Sequence, residues 1–318
     1  MKVVVAGGSG GLGRAVSRDL TARGHEVVVL SRSPAAPGSG RWVRWDGATA
    51  GAWAGELRGA AVVNLCGALV DRPPTAANVA LLTRSRVEPT LALARAAAEV
   101  DAGMPVWVQM STLAIYGDAG EAVLDETAPA ADGPAQMAGV ARAWEEAAAD
   151  VPALHRIVLR TGIVLEPGTP AMRRLTGLVR WGLGGRVGDG RQWISWLHVT
   201  DLLAVMRRCL HDGPALSGVV HATSPQPVRN AELMATLRQA LHRPPAPPTP
   251  ATLVRLGARV LRTDPALALT GRRCVPARLL AAGFRFAHPE LRGAVTDLLA
   301  RGARPAARAA QVEPAVPA

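Results

Sequence analysis

Two hydrophobic periods alternate along the first 165 residues. Short uncharged runs rich in valine and leucine recur, and most are followed by a segment in which apolar residues return every three or four positions. The first pattern is typical of strands buried on both faces of a parallel sheet, and the second of helices that cover it. The strands are predicted at residues 2–6, 27–30, 41–45, 60–66, 105–110 and 153–160. This order predicts an α/β fold with a doubly wound parallel sheet.

The alternation loosens after residue 165, and it divides the chain into four parts. Residues 1–165 are predicted to form the main nucleotide-binding domain, and residues 166–250 a substrate-side region interleaved with it. Residues 251–301 are predicted to form a small helical C-terminal domain, and residues 302–318 a disordered tail. Within the first part, the long helical run 75–100 is expected to break near Pro89, because proline lacks a backbone donor.

A glycine-rich turn follows the first strand and opens the first helix. Its spacing fits G-x-G-x-x-G through Gly8, Gly10 and Gly13, and G-x-x-G-x-x-G through Gly7, Gly10 and Gly13. In a Rossmann-like fold, such a turn lets the backbone approach a pyrophosphate, which the free N–H groups of the helix then bind. The residues expected to contact a dinucleotide here are Gly7, Ser9, Gly10, Gly11, Leu12 and Gly13.

The residues after the second strand bear on the choice of coenzyme. Ser31 and Arg32 stand where an acidic residue would bind the ribose 2′-hydroxyl of NAD. A guanidinium and a hydroxyl can instead bind a 2′-phosphate, so NADP(H) is the predicted cofactor. The alternative is that Arg32 is a solvated loop residue, since arginine is common throughout the chain.

Other strands of a parallel sheet end at the same edge and extend the predicted cofactor site. The third strand ends at Asp46, which either accepts a hydrogen bond from the adenine amino group or starts a turn before Gly47. Small or polar residues follow the other strands. The remaining predicted cofactor residues are Cys66, Gly67, Ala68, Ser111, Thr161 and Gly162.

A second glycine-rich segment, residues 183–201, carries two tryptophans and several polar groups. It is expected to form a loop and a strand that line a substrate pocket through Arg191, Trp193, Ser195 and His198. For the first three residues, packing is the alternative to a pocket role. His198 precedes Val199-Thr200-Asp201, a pattern of helix entry, so hydrogen bonding within the fold is its alternative.

Composition limits the partners and the compartment. The net charge of +11 comes almost wholly from arginine, since Lys2 is the only lysine, and no arginine cluster is interleaved with aromatic residues. We therefore expect a small-molecule substrate and no nucleic acid. Three separate cysteines and seven scattered histidines predict buried thiols in a reducing compartment and no metal site. Without a signal peptide or a run of membrane-spanning length, we expect a cytoplasmic protein with no membrane partner.

The chain resembles the atypical extended short-chain dehydrogenase/reductases known as epimerase family proteins, which are similar to NAD-dependent epimerases and dehydratases. The resemblance covers residues 1 to about 300, and residues 225–230 and 271–286 look like the family's C-terminal domain of unknown function. The motifs that carry it are residues 7–13, 64–68, 85–87, 144–145, 183–198, 225–230, 271–276 and 283–286.

Relatives in the wider superfamily use a Ser or Thr, a Tyr and a Lys for hydride transfer, and the resemblance implies which of these are missing. Met137 and Ala141 stand at the Tyr and Lys positions, while Thr112 matches the Ser/Thr position. The candidate catalytic residues are therefore Thr112 and Tyr116, the only tyrosine. The leading hypothesis is an NADP(H)-dependent oxidoreductase of atypical mechanism acting on a small or nucleotide-linked substrate. The alternatives are a non-catalytic NADP(H) sensor and, less favoured, a nucleotide-sugar epimerase.

Overall fold

Thirteen strands are present in the computed structural model, which describes residues 1–34 and 37–310, with side chains up to residue 302. Seven of them form one parallel sheet, and the other six pair into three two-stranded sheets. In chain order the strands are β1 Lys2–Ala6, β2 Glu26–Ser31, β3 Arg41–Arg44, β4 Ala61–Asn64, β5 Met104–Thr112, β6 Val123–Leu124, β7 Ala153–Thr161, β8 Ile163–Leu165, β9 Trp193–Ile194, β10 Trp196–His198, β11 Gly218–Ala222, β12 Val228–Arg229 and β13 Arg273–Cys274.

Eleven α-helices connect these strands within the described residues. They are α1 Gly11–Ala22, α2 Ala76–Glu99, α3 Val140–Glu146, α4 Pro170–Arg180, α5 Val199–His211, α6 Gly213–Leu216, α7 Asn230–Ala240, α8 Ala251–Val260, α9 Ala266–Leu269, α10 Ala277–Ala281 and α11 Leu291–Ala310. Two 3₁₀ helices, Ala52–Leu57 and Leu113–Tyr116, and a π-helical turn, Ala135–Gly139, complete the regular structure.

The main sheet has the strand order β11-β7-β5-β4-β1-β2-β3, and every neighbouring pair is parallel. The chain moves outward from β1 in one direction to β3 and then returns to β4 on the other side. This reversal between β1 and β4 is the position at which doubly wound sheets bind their ligands, outside the carboxyl ends of the strands. The predicted fold class is confirmed, and β11 joins the main sheet from the region after residue 165.

The two faces of the sheet bury separate hydrophobic clusters because successive strand residues point to opposite sides. Val3 and Val5 lie in one cluster with Leu20 of α1, whereas Val4 lies in the other with Leu93 of α2. Strands covered on both faces need apolar residues at every position, which explains their unbroken valine-rich sequence.

Two local predictions differ from the structure. Helix α2 runs unbroken from Ala76 to Glu99 with Pro89 inside it, because Pro89 and residues on both sides of it, such as Leu82 and Leu93, are buried against the sheet. The C-terminal tail predicted to be disordered from residue 302 begins as helix, since α11 extends to Ala310; residues 311–318 lie outside the described part.

No helix of the described chain combines the length and hydropathy needed to cross a bilayer.

Candidate functional site

Three glycines of the turn after β1 are required by the fold itself. Gly7 has a φ of +78°, and a Cβ there would lie 2.9 Å from the backbone of Leu65. A Cβ on Gly13 would lie 2.4 Å from the carbonyl oxygen of Gly7, and one on Gly8 would lie 2.6 Å from the side chain of Val29. These contacts let β1, β4 and α1 approach closely at the strand ends.

Two other glycines of the turn keep space open on the outer side. A Cβ on Gly11 would meet nothing within 4 Å, and one on Gly10 would meet only the Gly7 carbonyl oxygen at 3.4 Å. Among the described residues no side chain caps the N-terminus of α1, and the first turn of this helix carries no acidic residue. The first-turn N–H groups, including that of Leu12, therefore remain available to an anion, which the helix dipole also favours. The cradle fits a dinucleotide pyrophosphate.

The end of β2 lies beside this cradle. Ser31 Oγ donates to Ser9 Oγ at 2.7 Å, and the Arg14 guanidinium donates to the Ser9 carbonyl oxygen at 2.5 Å. Arg32 is exposed and makes no hydrogen bond or ion pair with any described residue. Two hydroxyls and a free guanidinium next to the pyrophosphate cradle suit a 2′-phosphate better than a bare ribose.

Asp46 adopts the turn role, with its carboxylate bonded to the residues that follow it. Its Oδ1 accepts from the N–H groups of Ala48 and Thr49, and its Oδ2 accepts from the Thr49 hydroxyl at 2.5 Å. These hydrogen bonds, that of the Thr49 hydroxyl first, lower the pKa of Asp46 to about 2. The alternative of a turn-forming Asp is thus favoured over adenine binding.

The loop after β4 presents its backbone to the space outside the carboxyl ends of β1 and β4, which we call the cleft. A buried arginine holds this loop in place. Arg86 donates to the Ala68 carbonyl oxygen at 3.1 Å, and its Cζ lies 5.0 Å from the ring centre of Trp144. A Cβ on exposed Gly67 would lie 2.9 Å from the same Cζ. Burial lowers the pKa of Arg86 to about 10, so it keeps its charge at neutral pH. Burial raises the pKa of Cys66 to about 12, which leaves an inert thiol.

Two predicted cofactor residues direct their hydroxyl groups inward, and a third is a closely packed glycine. Ser111 Oγ donates to Glu145 Oε1, and Thr161 Oγ1 contacts the Met110 sulfur at 2.9 Å. A Cβ on Gly162 would lie 2.6 Å from the carbonyl oxygen of Ser195, so this glycine is required by close packing. Only their backbones remain for contact with a ligand.

Tyr116 belongs to a buried polar network behind the strand ends. Arg160 donates to the Tyr116 oxygen at 2.7 Å and forms a bidentate pair with Glu145, at 2.9 and 2.8 Å. The Tyr116 oxygen also lies 2.6 Å from His221 Nε2, and His221 Nδ1 lies 3.0 Å from the Val275 carbonyl oxygen. Since a carbonyl can only accept, we assign the proton to Nδ1, so Nε2 accepts from the Tyr116 hydroxyl.

The protonation states in this network are fixed by burial and pairing. Burial raises the pKa of Tyr116 to about 12 against the opposing charge of Arg160, and burial lowers the pKa of His221 to about 4. Burial opposes the charge of Arg160, but Glu145 raises the pKa of this guanidinium overall. A neutral, hydrogen-bonded and 4% exposed phenol is poorly suited to move a proton in the cleft.

Thr112 is the candidate hydroxyl that stays at the cleft edge. It is half-buried at the end of β5, and its Oγ1 accepts from the Ala114 N–H, which leaves its own proton free to donate. Met137 and Ala141, at the superfamily's Tyr and Lys positions, are buried and apolar. The structure therefore places no acid or base at these two positions.

Three of the four predicted pocket residues contact the C-terminal domain. Trp193 Nε1 donates to Glu121, and the guanidinium groups of Arg229 and Arg273 lie over its ring at 3.9 and 4.5 Å. Exposed Arg191 lies 3.7 Å from Glu121. Ser195 Oγ donates to the Arg272 carbonyl oxygen and accepts from the Cys274 N–H.

His198 is fully buried and caps α5 instead of lining a pocket. Its Nδ1 accepts from the Thr200 N–H, so the proton lies on Nε2, 3.2 Å from Asp297 Oδ2. With His288 these residues form a group of metal-ligand types, but a protonated Nε2 cannot coordinate a cation, and Arg301 already pairs with Asp297. The chemistry of the donor set does not suit a metal.

The network residues Glu145, Arg160 and His221 were not predicted from the sequence. One signal was present: Arg160 follows an apolar stretch of a predicted strand, where a buried charge requires a partner. The partners lie 15 and 44 residues away, in Glu145 and Tyr116, and no local spacing connects them.

The parallel sheet, the glycine cradle and the uncapped helix define a Rossmann-type dinucleotide-binding protein. Residues 3–217 match the model of the NAD dependent epimerase/dehydratase family, and residues 249–298 match a domain of unknown function, DUF1731. The chain belongs to the NAD-dependent epimerase/dehydratase family, as the resemblance in its motifs predicted.

Similar proteins cover nearly the whole chain. The epimerase family protein SDR39U1 of Bos taurus is 36% identical, and the match covers 94% of this chain and all of the relative. A Mycobacterium bovis epimerase family protein is 34% identical over 90% of this chain and 93% of its own length. The crystal structure of human SDR39U1 with NADPH superposes with a TM-score of 0.81 at 31% identity, covering 94% of this chain and 99% of that one.

Proposed function

We propose that this protein binds NADP(H) and transfers hydride between the nicotinamide and a carbonyl or alcohol carbon of a small or nucleotide-linked substrate. The single observation that carries the proposal is the open cradle at Gly10 and Gly11 beside Arg32, which pairs with no residue that the structure describes. It is supported by the NADPH in the crystal structure of human SDR39U1. The coenzyme would supply or accept the hydride, and every other role falls to the protein.

In this proposal Thr112 donates a hydrogen bond to the reacting substrate oxygen. Its hydroxyl proton is free because Oγ1 only accepts within the fold. Without a Tyr/Lys pair, the proton that balances hydride addition to a carbonyl would come from solvent, and we expect slow turnover. The buried Tyr116 has a structural role, and the epimerase alternative loses support because no described acid or base faces the cleft on α3.

The cofactor proposal is tested by titrating the protein with NADPH and NADH and following fluorescence. We expect Arg32→Ala to weaken NADPH binding about tenfold or more and to change NADH binding little, because a charge-assisted phosphate contact is lost. Arg156→Ala, at an exposed arginine near the start of β7, is the matched control and should change neither. Equal losses for both coenzymes would contradict the assignment of Arg32.

Catalysis is tested separately with a panel of aldehydes and ketones and NADPH oxidation as the readout. Thr112→Ser should retain turnover, whereas Thr112→Ala should lose most of it while still binding NADPH. A specific observation favours the rival function of a non-catalytic NADP(H) sensor, namely the apolar Met137 and Ala141 at the Tyr and Lys positions. Tight NADPH binding with no turnover of any panel member would favour that sensor.

A further inference from the structure

Helix α8 is tied at both of its ends to the segment that contains α4. Thr249, just before α8, donates to the Arg186 carbonyl oxygen and accepts from the Gly188 N–H, both after α4. At the other end, Arg174 near the start of α4 and Thr263 after α8 both bind the carboxylate of Asp71. The start of α8 is therefore joined to the loop after α4, and its end is linked to α4 through Asp71.

An apolar stripe on α8 faces away from the protein. Leu253, Leu256 and Val260 follow helical spacing i, i+3 and i+7, and they are 56%, 56% and 78% exposed. Ala258, the one buried residue of the helix, lies on the opposite side. At the end of α4, Trp181 is 83% exposed. Leu178, Leu183 and Leu261, which lie near the ends of α4 and α8, are also exposed.

The two segments that contain α4 and α8 are rich in arginine and lack acidic residues. Residues 167–188 and 233–263 contain no Asp or Glu and nine arginines. Seven of these are exposed and form no ion pair with any described residue: Arg173, Arg180, Arg186, Arg243, Arg255, Arg259 and Arg262. On α8, Arg255 and Arg259 stand one turn apart beside the apolar stripe.

We propose that the α4–α8 surface is a docking site for an anionic lipid bilayer. An exposed apolar stripe flanked by arginines, with a tryptophan at its border, is the arrangement of helices that lie in the plane of a membrane interface. The apolar side chains enter the acyl boundary while the guanidinium groups bind lipid phosphates. Nucleic acid would pair with the arginines but would leave the leucines and valine exposed to water. A bilayer can bind both the arginines and the apolar side chains.

This proposal refines the expectation of no membrane partner. That expectation rested on the lack of a spanning run, whereas an interfacial helix needs none. The surface also escapes a scan of the sequence, because it combines two segments that are joined only in the fold. It lies outside the proposed coenzyme cradle, so NADPH binding serves as an independent check that variants of the surface fold correctly.

The test is co-sedimentation of the full chain with vesicles of phosphatidylglycerol and phosphatidylcholine, compared with phosphatidylcholine alone, at low and high salt. We expect binding only to the anionic vesicles, weaker at high salt, with a blue shift of Trp181 fluorescence that is absent in Trp181→Phe. The double variant Leu256→Glu/Val260→Glu should lower vesicle partitioning about tenfold or more. Leu154→Glu is the matched control, at a residue of the main domain that is 77% exposed. It should leave vesicle partitioning unchanged.

Three results would overturn the proposal. The first is no binding to anionic vesicles, and the second is binding that neither Leu256→Glu/Val260→Glu nor a second double variant on the α4 side, Trp181→Ser/Leu183→Ser, changes. The third is a dimer in solution that Leu256→Glu/Val260→Glu dissociates, with no vesicle binding, which would assign the surface to a second copy of the chain. If that variant loses NADPH binding, the second double variant, Trp181→Ser/Leu183→Ser on the α4 side, replaces it in the comparison.

Discussion

At the scale of single residues, the seven-residue glycine turn separates what the fold requires from what a ligand requires. Gly13 has no room for a Cβ because the Gly7 carbonyl oxygen lies in its place, whereas Gly11 has open space. A substitution at each position should therefore affect a different property. Folding requires Gly13, and we infer that coenzyme binding requires Gly11.

Gly11→Ala should keep or raise the melting temperature, because alanine favours the helix over glycine by up to about 1 kcal/mol. The added methyl should nevertheless weaken NADPH binding, since it occupies the cradle. Gly13→Ala is the matched variant, and it should cost about 1–3 kcal/mol or more through overpacking. Thermal unfolding and NADPH titration of both proteins check this, and unimpaired binding by Gly11→Ala would show that the ligand lies elsewhere.

Tyr116 illustrates why residue roles are harder to predict than residue positions. Its place after β5, four residues beyond Thr112, suggested a catalytic role, and the sequence contains no other tyrosine. What determines its chemistry is the direction of the side chain, which turns toward Arg160 and His221 rather than toward the cleft. These partners come from β7 and β11, and neither could be assigned before the strand order was known.

At the scale of elements, the Glu145–Arg160 pair joins α3 to β7 and orders the carboxyl edge of the sheet. The two side chains are 15% and 9% exposed, and Ser111 adds a third hydrogen bond to the carboxylate. Breaking a buried pair by removing one partner leaves an uncompensated charge, which costs far more than a surface ion pair.

Glu145→Gln should therefore destabilise the protein by about 3–5 kcal/mol, because it leaves the buried guanidinium of Arg160 without its counter-charge. Glu146→Gln, at the exposed neighbouring carboxylate, should change stability by less than about 0.5 kcal/mol. Urea unfolding of the two variants measures the difference. Similar stabilities would mean that Arg160 finds another partner in the folded chain.

The elements themselves were largely predictable, and the reason is physical. Strands buried on both faces must be continuously apolar, and the glycine turn fixes where β1 ends and α1 begins. The prediction for α2 failed at Pro89 because tertiary burial outweighs the local cost of proline, which sequence alone does not reveal. In the same way, Ser195 and His198 were correctly placed in a loop and strand near helix entry, but their contacts depend on distant segments, 272–274 and 297.

At the scale of the whole molecule, two fully buried histidines link different parts of the chain. His221 joins β11 to Tyr116 and to the Val275 carbonyl oxygen, and His198 faces His288 and Asp297 of the C-terminal region. Burial lowers the pKa of both histidines to about 4, and the charge of His288 further lowers that of His198. In the unfolded chain both return to about 6.5.

These shifts predict how global stability depends on pH. Below pH 6.5 the unfolded chain takes up protons that the folded protein does not accept until about pH 4, so acid favours unfolding. The stabilisation is complete above pH 6.5 and is lost as the pH falls to 4, by up to about 3 kcal/mol per histidine. Carboxylates with a lowered pKa, such as Glu56, also stabilise the folded protein, and their contribution to stability is lost only below the pH range of the histidines.

His221→Gln separates this linkage from the loss of contacts. The variant should be less stable than the parent at pH 7.5, because a flexible amide does not reproduce both hydrogen bonds of the rigid imidazole ring, to Tyr116 and to the Val275 carbonyl oxygen. Its stability should nevertheless fall less steeply between pH 6.5 and 4.5. His242→Asn, at an exposed histidine with a φ of +51° that asparagine tolerates, should keep the parent slope. Urea midpoints at pH 7.5, 6.5, 5.5 and 4.5 give the slopes. A parent stability that stays level across this range would mean that the folded protein takes up protons on both imidazoles at the same pH as the unfolded chain. This would contradict the hydrogen-bond pattern of His221.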